Sequence, residues 1–513
     1  MTTAEWSAHH PWWARAALLA AGAVLPFSFA PHDLLPLAVL CLAVLFLLWQ
    51  NINAREAALR GYCFGLGMFG HGVWWVQVSI HQFGLPLYSF SVTMTVLFVA
   101  FMALYPALTG YLVQRLPARS DAVRLLLCMG PLWVLFEWLR GWLLSGFPWL
   151  HLGYGQVDGW LAGYAPVFGV HGVSAAVVAL AAACVHALQS IGRQRRGALL
   201  LLVAVTCGGV GLSQVSWTTP EGPREEAALV QGAVPQAVKW RSDFRARTLE
   251  LYEALSEAHW GREIMLWPET AVPAFPLEIS DLLTRLGTRA DETGTALLVG
   301  MPDGEPRDGR YFNSVVLLNG ARQRYAKHHL VPFGEYLPLD GLLRPLLDFL
   351  TIPMSSFSAG PERQAPLAQG PFRIGVSICY EDAYASEIRK SLPDANVLVN
   401  VSDDAWFGDS IAPHQHLQIS RMRALEAGRY LLRATNTGIS AIIDARGGIV
   451  ARSPQFEPHV LIGSFERYAG ITPFMFWGHT PLVLMMLGLV LLALRPTMQG
   501  LKASAGKAHN WRA

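Results

Sequence analysis

The sequence predicts a multi-span α-helical membrane domain joined to a soluble α/β domain. Hydrophobic residues make up 52% of the 513 residues and charged residues only 15%, and the mean hydropathy is +0.32. Such values are typical of chains that cross a membrane. The apolar runs lie in residues 1–220 and 471–513, whereas residues 221–470 alternate short apolar runs with charged stretches. We therefore expect a membrane domain over 1–220, an extracytoplasmic α/β domain over 221–470, and a last span with a cytoplasmic tail over 471–513.

Seven apolar segments in the first 220 residues are candidate transmembrane helices, and an eighth follows the α/β domain. Most approach the roughly 20 residues that a helix needs to cross a bilayer. A helix is expected because it satisfies its own backbone hydrogen bonds in lipid. The predicted spans are Trp12 to Phe29, Leu34 to Trp49, Gly61 to Ile80, Tyr88 to Val113, Leu125 to Leu144, Leu161 to Leu188, Ala198 to Val215, and Phe474 to Leu494.

The arginines predict how these spans are oriented. Arg55 and Arg60 lie between spans two and three, and further arginines lie between spans four and five and between spans six and seven. Because cytoplasmic loops carry an excess of Lys and Arg, the N-terminus is predicted to be cytoplasmic. Seven spans then place residues 221–470 outside the cytoplasm. Basic residues from Arg495 onward return the C-terminus to the cytoplasm.

The elements of the α/β domain are predicted from the spacing of its apolar residues. Short β-branched runs indicate strands, and a three-residue spacing such as that of Leu249, Tyr252 and Leu255 indicates a helix. Asn319-Gly320 predicts a two-residue hairpin turn. The predicted helices are Arg241 to His259 and Ile279 to Thr293. The predicted strands are Ala227 to Gln231, Ile264 to Trp267, Ala296 to Gly300, Asn313 to Leu318, Arg322 to Lys327, Arg373 to Ile378, Val397 to Val401, Ser440 to Asp444, and Val460 to Ser464.

Charge and cysteine content exclude several classes of function. The formal net charge is +2 and the basic residues form only short clusters, so no nucleic acid partner is expected. Cys379 is the only cysteine in residues 221–470, which excludes a disulfide within that domain, and the chain has no CxxC pair. Neither His328-His329 nor His414 with His416 has a matching ligand set, so no metal or cofactor is expected.

Three predicted strands of the α/β domain end at reactive side chains: Glu269, Lys327 and Cys379. A thiol is a good nucleophile only as the thiolate, and its free pKa leaves it mostly protonated at neutral pH. A carboxylate can take its proton, and an ammonium group can stabilise an oxyanion. The set is sufficient for acyl transfer through a thioester, although each residue alone also fits a structural role: a core cysteine, a surface acid, a solvated lysine.

The residues around these side chains resemble known signatures. Trp267 to Thr270, Lys327 to Glu335 and Cys379-Tyr380-Glu381 resemble the three signatures of the nitrilase superfamily, whose members have an αββα sandwich and a Glu-Lys-Cys triad. The predicted spans, together with Asn400 to Ser410 and Pro413 to His416, resemble the apolipoprotein N-acyltransferase family within that superfamily. This resemblance covers nearly the whole chain.

The resemblance implies a ping-pong acyl transfer. Glu269 would be the general base, and Cys379 would take an acyl chain from a membrane phospholipid as a thioester while Lys327 stabilises the oxyanion. The α-amino group of the diacylglyceryl-cysteine at the N-terminus of an apolipoprotein would then accept the chain. The residues expected to line or order the site are Glu335, Tyr380, Glu381, Asn313, Trp240, Trp406 and Trp149.

The predicted architecture agrees with substrates that stay in a bilayer. Removing an acyl chain from lipid costs about 0.8 kcal/mol per CH₂, so the nucleophile is expected near the membrane surface. The outer loops His81 to Pro86 and Gly146 to Trp149 carry aromatic residues that suit either a lipid entry or an ordinary aromatic belt. By the same resemblance we expect a monomer in the bacterial inner membrane with its catalytic domain in the periplasm.

Two further hypotheses concern charged residues. Glu137 and Arg140 are close enough along one predicted span to pair with each other. Asp403, which replaces the asparagine more common in the family, lies with Asp404 and Trp406 on a segment whose glycine and aromatic content suits a mobile lid.

Two other functions stay open at this point. A membrane-anchored amidase or nitrilase would release a carboxylic acid to water, which requires a water-exposed thioester. A transporter or sensor without enzymatic activity would use the outer domain for binding. Transporters, however, tend to have inverted repeats and broken helices, and neither is clear in this sequence.

Overall fold

The computed structural model describes residues 10–83, 87–305, 309–319, 322–336 and 357–494. Three predicted features therefore lie outside the described residues. They are the Gly84 to Pro86 part of the first outer loop, Gly320 of the predicted hairpin turn, and the basic residues from Arg495 onward.

The first domain is built from helices, as predicted, and each of the eight predicted spans falls mostly on helical residues, with a break after Gly72 in the third span and after Trp477 in the eighth. Within the described residues, four helical stretches are long and apolar enough to cross a membrane: Tyr88–Arg115, Asp121–Arg140, Ala162–Gln189 and Gly192–Ser213. The count of eight spans stays a prediction. The helices are α1 (Pro11–Val24), α2 (Pro36–Leu48), α3 (Ala54–Gly72), α4 (Val76–Phe83), α5 (Tyr88–Met102), α6 (Leu104–Arg115), α7 (Asp121–Arg140), α8 (Ala165–Gln189) and α9 (Gly192–Ser213).

Glycines allow α1 and α3 to pack backbone to backbone. A Cβ atom on Gly22 would lie 2.0 Å from the Phe64 carbonyl oxygen, and one on Gly67 would lie 2.1 Å from the Leu19 carbonyl oxygen. Small residues at such crossings are how helices associate closely within a membrane.

The second domain contains two six-stranded sheets. The first sheet has the order β13-β2-β3-β4-β5-β6 and the second β12-β11-β10-β9-β8-β7. Central strands pair in parallel in both sheets, and they are buried on both faces, as parallel strands usually are. The strands are β1 (Thr218–Pro220), β2 (Glu225–Gln231), β3 (Ile264–Trp267), β4 (Ala296–Glu305), β5 (Arg310–Leu318), β6 (Gln323–Ala326), β7 (Leu367–Gln369), β8 (Phe372–Ile378), β9 (Val397–Ser402), β10 (Leu431–Thr435), β11 (Ala441–Ile443), β12 (Ile449–Arg452), β13 (His459–Phe465) and β14 (Tyr468–Gly470).

Alternate residues along each central strand separate two apolar layers. Ala227 and Leu229 face the second sheet and pack with residues such as Val399, whereas Ala228 and Val230 face helices outside the first sheet. Helices cover the outer face of the second sheet as well. This arrangement is the predicted αββα sandwich. Its helices are α10 (Gln236–Lys239), α11 (Ser242–Ser256), α12 (Ser280–Thr293), α13 (Ala385–Lys390) and α14 (Ala412–Ala427), and α15 (Pro473–Trp477) and α16 (Thr480–Ala493) lead back to the membrane domain.

Helix α14, which we did not predict, joins the two domains. Its Gln415 side chain accepts hydrogen bonds from the indole N–H groups of Trp75 (3.1 Å) and Trp149 (2.8 Å) and donates to the Gly72 carbonyl (3.1 Å). Arg421, farther along α14, pairs with Asp158 of the first domain. These contacts position the sandwich on the membrane domain.

Candidate active site

Cys379 occupies a strained turn at the end of β8. Its φ angle is +51°, a left-handed conformation that is costly for a residue with a Cβ atom and that persists only where the surroundings enforce it. The Asn400 side chain donates to the Cys379 carbonyl (3.3 Å), and the Glu381 carboxylate accepts from the Ile378 N–H (2.8 Å). The side chain is 8% exposed. A strand that ends in a strained turn is a known way to present a nucleophile.

Glu269 and Lys327 lie together beside this turn. The Lys327 ammonium is 3.6 Å from Glu269 Oε1 and 2.8 Å from Glu335 Oε1. Asn313 donates to the same two carboxylates, at 2.7 Å and 3.0 Å. The second oxygen of Glu269 accepts the backbone N–H of Asp403 (2.9 Å). We call Glu269, Lys327 and Glu335 the acid–lysine cluster.

Electrostatics couple this cluster to the sulfur. Burial raises the pKa of Cys379 well above its usual value, the Glu269 charge raises it further, and the Lys327 charge opposes both. Burial also raises the pKa of Glu269, against the charge of Lys327. Burial alone would lower the pKa of Lys327, but the Glu335 and Glu269 carboxylates raise it. The resting site therefore holds a neutral thiol, an ammonium group and a carboxylate that can accept a proton.

Glu381 ties the cysteine turn to the lysine segment. Besides Ile378, its carboxylate accepts the backbone N–H groups of His328 (2.7 Å) and His329 (3.0 Å) and the hydroxyl of Tyr325 (3.1 Å). Burial raises the pKa of Glu381 to about 7 against these hydrogen bonds. Glu381 therefore fixes the backbone of the Cys379 turn relative to the backbone of His328 and His329.

A second group of buried charges lies on the other side of the cysteine, and we call it the His416 cluster. His416 bridges Asp382 (2.9 Å) and Asp404 (2.8 Å), and Arg433 pairs with both carboxylates at 3.2 Å and 3.0 Å. Ser402 connects it to the nucleophile, because its hydroxyl donates to Asp404 Oδ1 (3.1 Å) and its side chain lowers the pKa of the Cys379 thiol.

The site also touches the membrane domain. Tyr380, the residue after Cys379, donates its hydroxyl to the Gly146 carbonyl (3.3 Å), and its ring stacks on Trp149 with 6.4 Å between centroids. Tyr384 donates to the Ser145 carbonyl (3.0 Å). The second predicted outer loop therefore borders the nucleophile.

The two remaining predicted site residues, Trp240 and Trp406, are both half-buried. Trp240 is half-buried directly after Lys239, whose ammonium donates to the Glu269 carbonyl oxygen (3.0 Å). Trp406 is half-buried, and its carbonyl accepts the Ser79 hydroxyl of α4 (2.6 Å).

The structure revises both hypotheses about charged residues. Glu137 accepts from Ser174 and from the Leu152 N–H, and Arg140 donates to the carbonyls of Phe147 and Trp149, so Glu137 and Arg140 attract each other by charge while their hydrogen bonds go to the loop after α7 and to α8. Asp403 and Asp404 are at most 2% exposed and bound in the core, which excludes them from a mobile lid.

Lys239, Ser402 and His416 were not predicted as site residues. Each is buried beside a reactive group, but no periodic spacing of apolar residues around it marks it in the sequence. The one available sign is that Ser402 ends an apolar run, as Glu269 and Cys379 do.

Two family models match this chain, one in each domain. The family model of the carbon–nitrogen hydrolases matches residues 226–469, the sandwich that carries Cys379. The model of the apolipoprotein N-acyltransferase N-terminal domain matches residues 21–183. Among solved structures, a carbon–nitrogen hydrolase from Helicobacter pylori G27 is 16% identical with a TM-score of 0.36, over 52% of this chain and 94% of that chain.

Curated relatives match this chain along most of its length. An apolipoprotein N-acyltransferase of Methylococcus capsulatus is 46% identical over 473 residues, which cover 92% of this chain and 94% of that protein. One from Vibrio cholerae is 40% identical over 475 residues, covering 90% and 93%. The chain belongs to the apolipoprotein N-acyltransferase family. This membership confirms the predictions of an N-acyltransferase, a nitrilase-like sandwich and a membrane protein.

Proposed function

We propose that this chain transfers an acyl chain from a membrane phospholipid to the α-amino group of the N-terminal diacylglyceryl-cysteine of apolipoproteins, through a thioester on Cys379. One observation carries the proposal: the residue next to Cys379 packs on the outer loop of the membrane domain, through the Tyr380 contacts with Gly146 and Trp149. A nucleophile in this position can meet an ester that remains anchored in lipid.

In the first half-reaction, Glu269 takes the proton of the Cys379 thiol and the sulfur attacks the ester carbonyl. The oxyanion is stabilised by the Lys327 ammonium, which the Glu335 and Glu269 carboxylates hold in its charged form against the effect of burial. The carbon–oxygen bond then breaks, and the lysophospholipid alcohol leaves with the proton from Glu269. The acyl chain is now a thioester on Cys379.

In the second half-reaction, the neutral α-amino group of the acceptor attacks the thioester. Glu269 accepts a proton from the attacking nitrogen and returns it to the departing sulfur, which restores the thiol and leaves an amide. Glu335 and Asn313 position Lys327 and Glu269 through the hydrogen bonds already described. Tyr380 and Trp149 border the lipid side, Glu381 orders the turn, and Trp240 and Trp406 flank the site.

The proposed location is the bacterial inner membrane, with both termini in the cytoplasm and residues 221–470 in the periplasm. The arginine distribution between the spans supports this orientation. We propose that the protein is a monomer, because a single chain supplies Glu269, Lys327 and Cys379.

The test is incubation of the purified protein with a phospholipid that carries a labelled acyl chain, followed by addition of a diacylglyceryl lipopeptide. We expect a labelled acyl group on Cys379 that is stable in detergent, sensitive to hydroxylamine, and transferred to the lipopeptide amine. An N-acetylated lipopeptide is the matched control, because it lacks the free amine.

Three results would contradict the proposal. Steady release of labelled fatty acid without acceptor would favour the hydrolase. Label on Cys379→Ala protein would exclude this nucleophile. Full function of Cys379→Ser protein in cells would favour a transporter or sensor.

A further inference from the structure

We infer that Glu137, His151 and His171 form a binding site for a divalent transition-metal cation, separate from the Cys379 site. One ligand atom from each of the three side chains lies within 4.8 Å of the other two. All three side chains are buried, with His151 1% exposed and His171 4% exposed. Neither histidine takes part in the acyl transfer described above.

The imidazole nitrogens of this cluster have no other use in the structure. Neither ring nitrogen of His151 has a hydrogen-bond partner among the described residues, and the Glu137 carbonyl is the one polar group of those residues that interacts with the His171 ring nitrogens. Nearly all buried polar groups in proteins are paired. Each neutral imidazole carries one lone pair, so His151 and His171 together offer two lone pairs to a ligand at this place.

The carboxylate of Glu137 is already oriented as a metal ligand would be. It accepts hydrogen bonds from the Ser174 hydroxyl, the Leu152 N–H (3.2 Å) and the Trp133 indole (3.2 Å). Three hydrogen bonds leave room for one more interaction on a carboxylate, which has about four lone-pair positions. Such surrounding hydrogen bonds are what fixes ligating carboxylates in metal sites.

His479 supplies a third imidazole at the edge of the cluster. Its ring lies 5.0 Å from that of His171 between centroids, and its Nδ1 is also unpartnered among the described residues. The four side chains come from α7, the loop after it, α8, and the segment between α15 and α16. One ion would therefore fasten the outer loop next to Trp149 to the segment that follows the catalytic domain.

The neighbouring charges permit a cation. Arg423 pairs with Glu426 at 3.1 Å, and the Arg140 guanidinium donates to the carbonyls of Phe147 and Trp149. Both arginines are therefore bound to other acceptors. The carboxylates of Glu137 and Glu426 offset their charges, and neutral imidazoles carry none.

The ligand set identifies the class of metal. Imidazole nitrogens with one carboxylate oxygen suit Zn²⁺ and similar transition ions, whereas Mg²⁺ and Ca²⁺ prefer oxygen ligands alone. Ligand atoms at 2.0–2.1 Å from one zinc ion lie about 3.3 Å apart. Small side-chain rotations that draw the three ligand atoms together by about 1–1.5 Å would complete such a site.

The experiment measures metal in the full-length protein, purified in detergent with a tag that contains no histidine. Protein is dialysed against Zn²⁺ and then against metal-free buffer, and bound metal is measured by mass spectrometry. We expect about one zinc per wild-type chain and a loss of at least tenfold in His151→Gln and His171→Gln proteins. His186→Gln, on the same helix α8 but outside the cluster, is the matched control and should keep its metal.

Two further measurements test the metal site without depending on whether the His151→Gln and His171→Gln variants fold. Zinc X-ray absorption of the wild-type protein should show only nitrogen and oxygen ligands, with imidazole scattering. A strong chelator should lower the thermal unfolding midpoint of wild-type and His186→Gln proteins. Absence of zinc from the wild-type protein, sulfur ligation, or equal zinc in all variants would overturn the site.

Discussion

The two buried charge clusters beside Cys379 differ in how their charges are balanced. The acid–lysine cluster sets two carboxylates, Glu269 and Glu335, against the single ammonium of Lys327. The His416 cluster sets two carboxylates, Asp382 and Asp404, against two cationic groups, His416 and Arg433. The first cluster carries an excess negative charge, whereas the second is neutral when His416 is protonated.

This difference separates proton transfer from positioning. Burial raises the pKa of Glu269, so that carboxylate can gain and lose a proton during turnover. In the His416 cluster, Arg433 and His416 outweigh burial and lower the pKa of Asp404 to about 2. Its two aspartates outweigh burial and Arg433 and raise the pKa of His416 to about 9. Near neutral pH no proton moves there, so the cluster serves as a fixed support.

The largest expected effect comes from removing the base. Glu269→Gln keeps the size of the side chain but cannot take the thiol proton, so it should abolish acyl-Cys379 formation. The measurement is labelling of Cys379 by a labelled phospholipid. Asp404→Asn is the comparison, because it changes a carboxylate in the other cluster and should retain partial labelling.

Wild-type labelling of the Glu269→Gln protein would contradict the assignment of the base. Equal and complete loss in both variants would remove the distinction between the two clusters. Circular dichroism should show that each variant is folded, and each variant should be monodisperse in detergent, so that a folding defect is not mistaken for a loss of catalytic chemistry.

A smaller loss is expected when the cation of the acid–lysine cluster is removed. Lys327→Ala should slow acyl-enzyme formation by about 10²–10³, the usual cost of losing an oxyanion stabiliser. Lys239→Met is the comparison, since Lys239 is equally buried but pairs with Asp403 and donates to the Glu269 carbonyl rather than its carboxylate. Single-turnover rates measure both. A near-normal rate for Lys327→Ala would remove this lysine from the oxyanion role.

The two clusters also differ in how well their residues could be predicted from the sequence. Glu269, Lys327 and Cys379 each lie at or just after the end of a predicted strand, and this position together with the resemblance to the three family signatures singles them out without a structure. The His416 cluster depends on α14 and β10, neither of which we predicted. Nearly every residue of α14 is buried, so it has no polar face to reveal its period, and β10 carries the buried Arg433 at its centre. The spacing of apolar residues along the sequence does not reveal polar residues that pair between different secondary-structure elements.

The His416 cluster should reveal itself in the pH dependence of stability. The folded pKa of His416, about 9, lies above its ordinary value of 6.5, because Asp382 and Asp404 favour the charged ring. The resulting stabilisation, about 3 kcal/mol, is complete below pH 6.5 and is lost as pH rises through 9. The thermal unfolding midpoint of the wild-type protein should therefore fall between pH 6.5 and 9.

His416→Gln should lower the midpoint and remove that pH dependence. His414→Gln, two residues away on α14, should keep it, because burial lowers the pKa of His414 and places its titration below this range. Parallel curves for wild-type and His416→Gln proteins would show that His416 is not the group responsible.

The smallest effect is expected at Ser402, where the His416 cluster meets the nucleophile. The Ser402 hydroxyl has one proton and two neighbours, Asp404 and the Cys379 sulfur. Asp404 also accepts from His416 and Arg433, so it can release that proton when the sulfur becomes a thiolate. A hydrogen bond to a charged acceptor contributes roughly 1.5–3 kcal/mol. Ser402→Ala should therefore slow alkylation of Cys379 by iodoacetamide about tenfold at neutral pH and shift its pH profile upward by about one unit.

Ser377→Ala is the matched control for this last prediction. Ser377 lies on β8 beneath the cysteine turn and donates to the Val399 carbonyl (3.3 Å), so its loss perturbs the support of the turn without removing a donor to the sulfur. It should leave the alkylation profile in place. If Ser402→Ala and wild-type profiles coincide, the His416 cluster acts on the backbone of the turn alone. If the Ser402→Ala profile shifts, the cluster also tunes the thiolate, and the two clusters cooperate at the same sulfur atom.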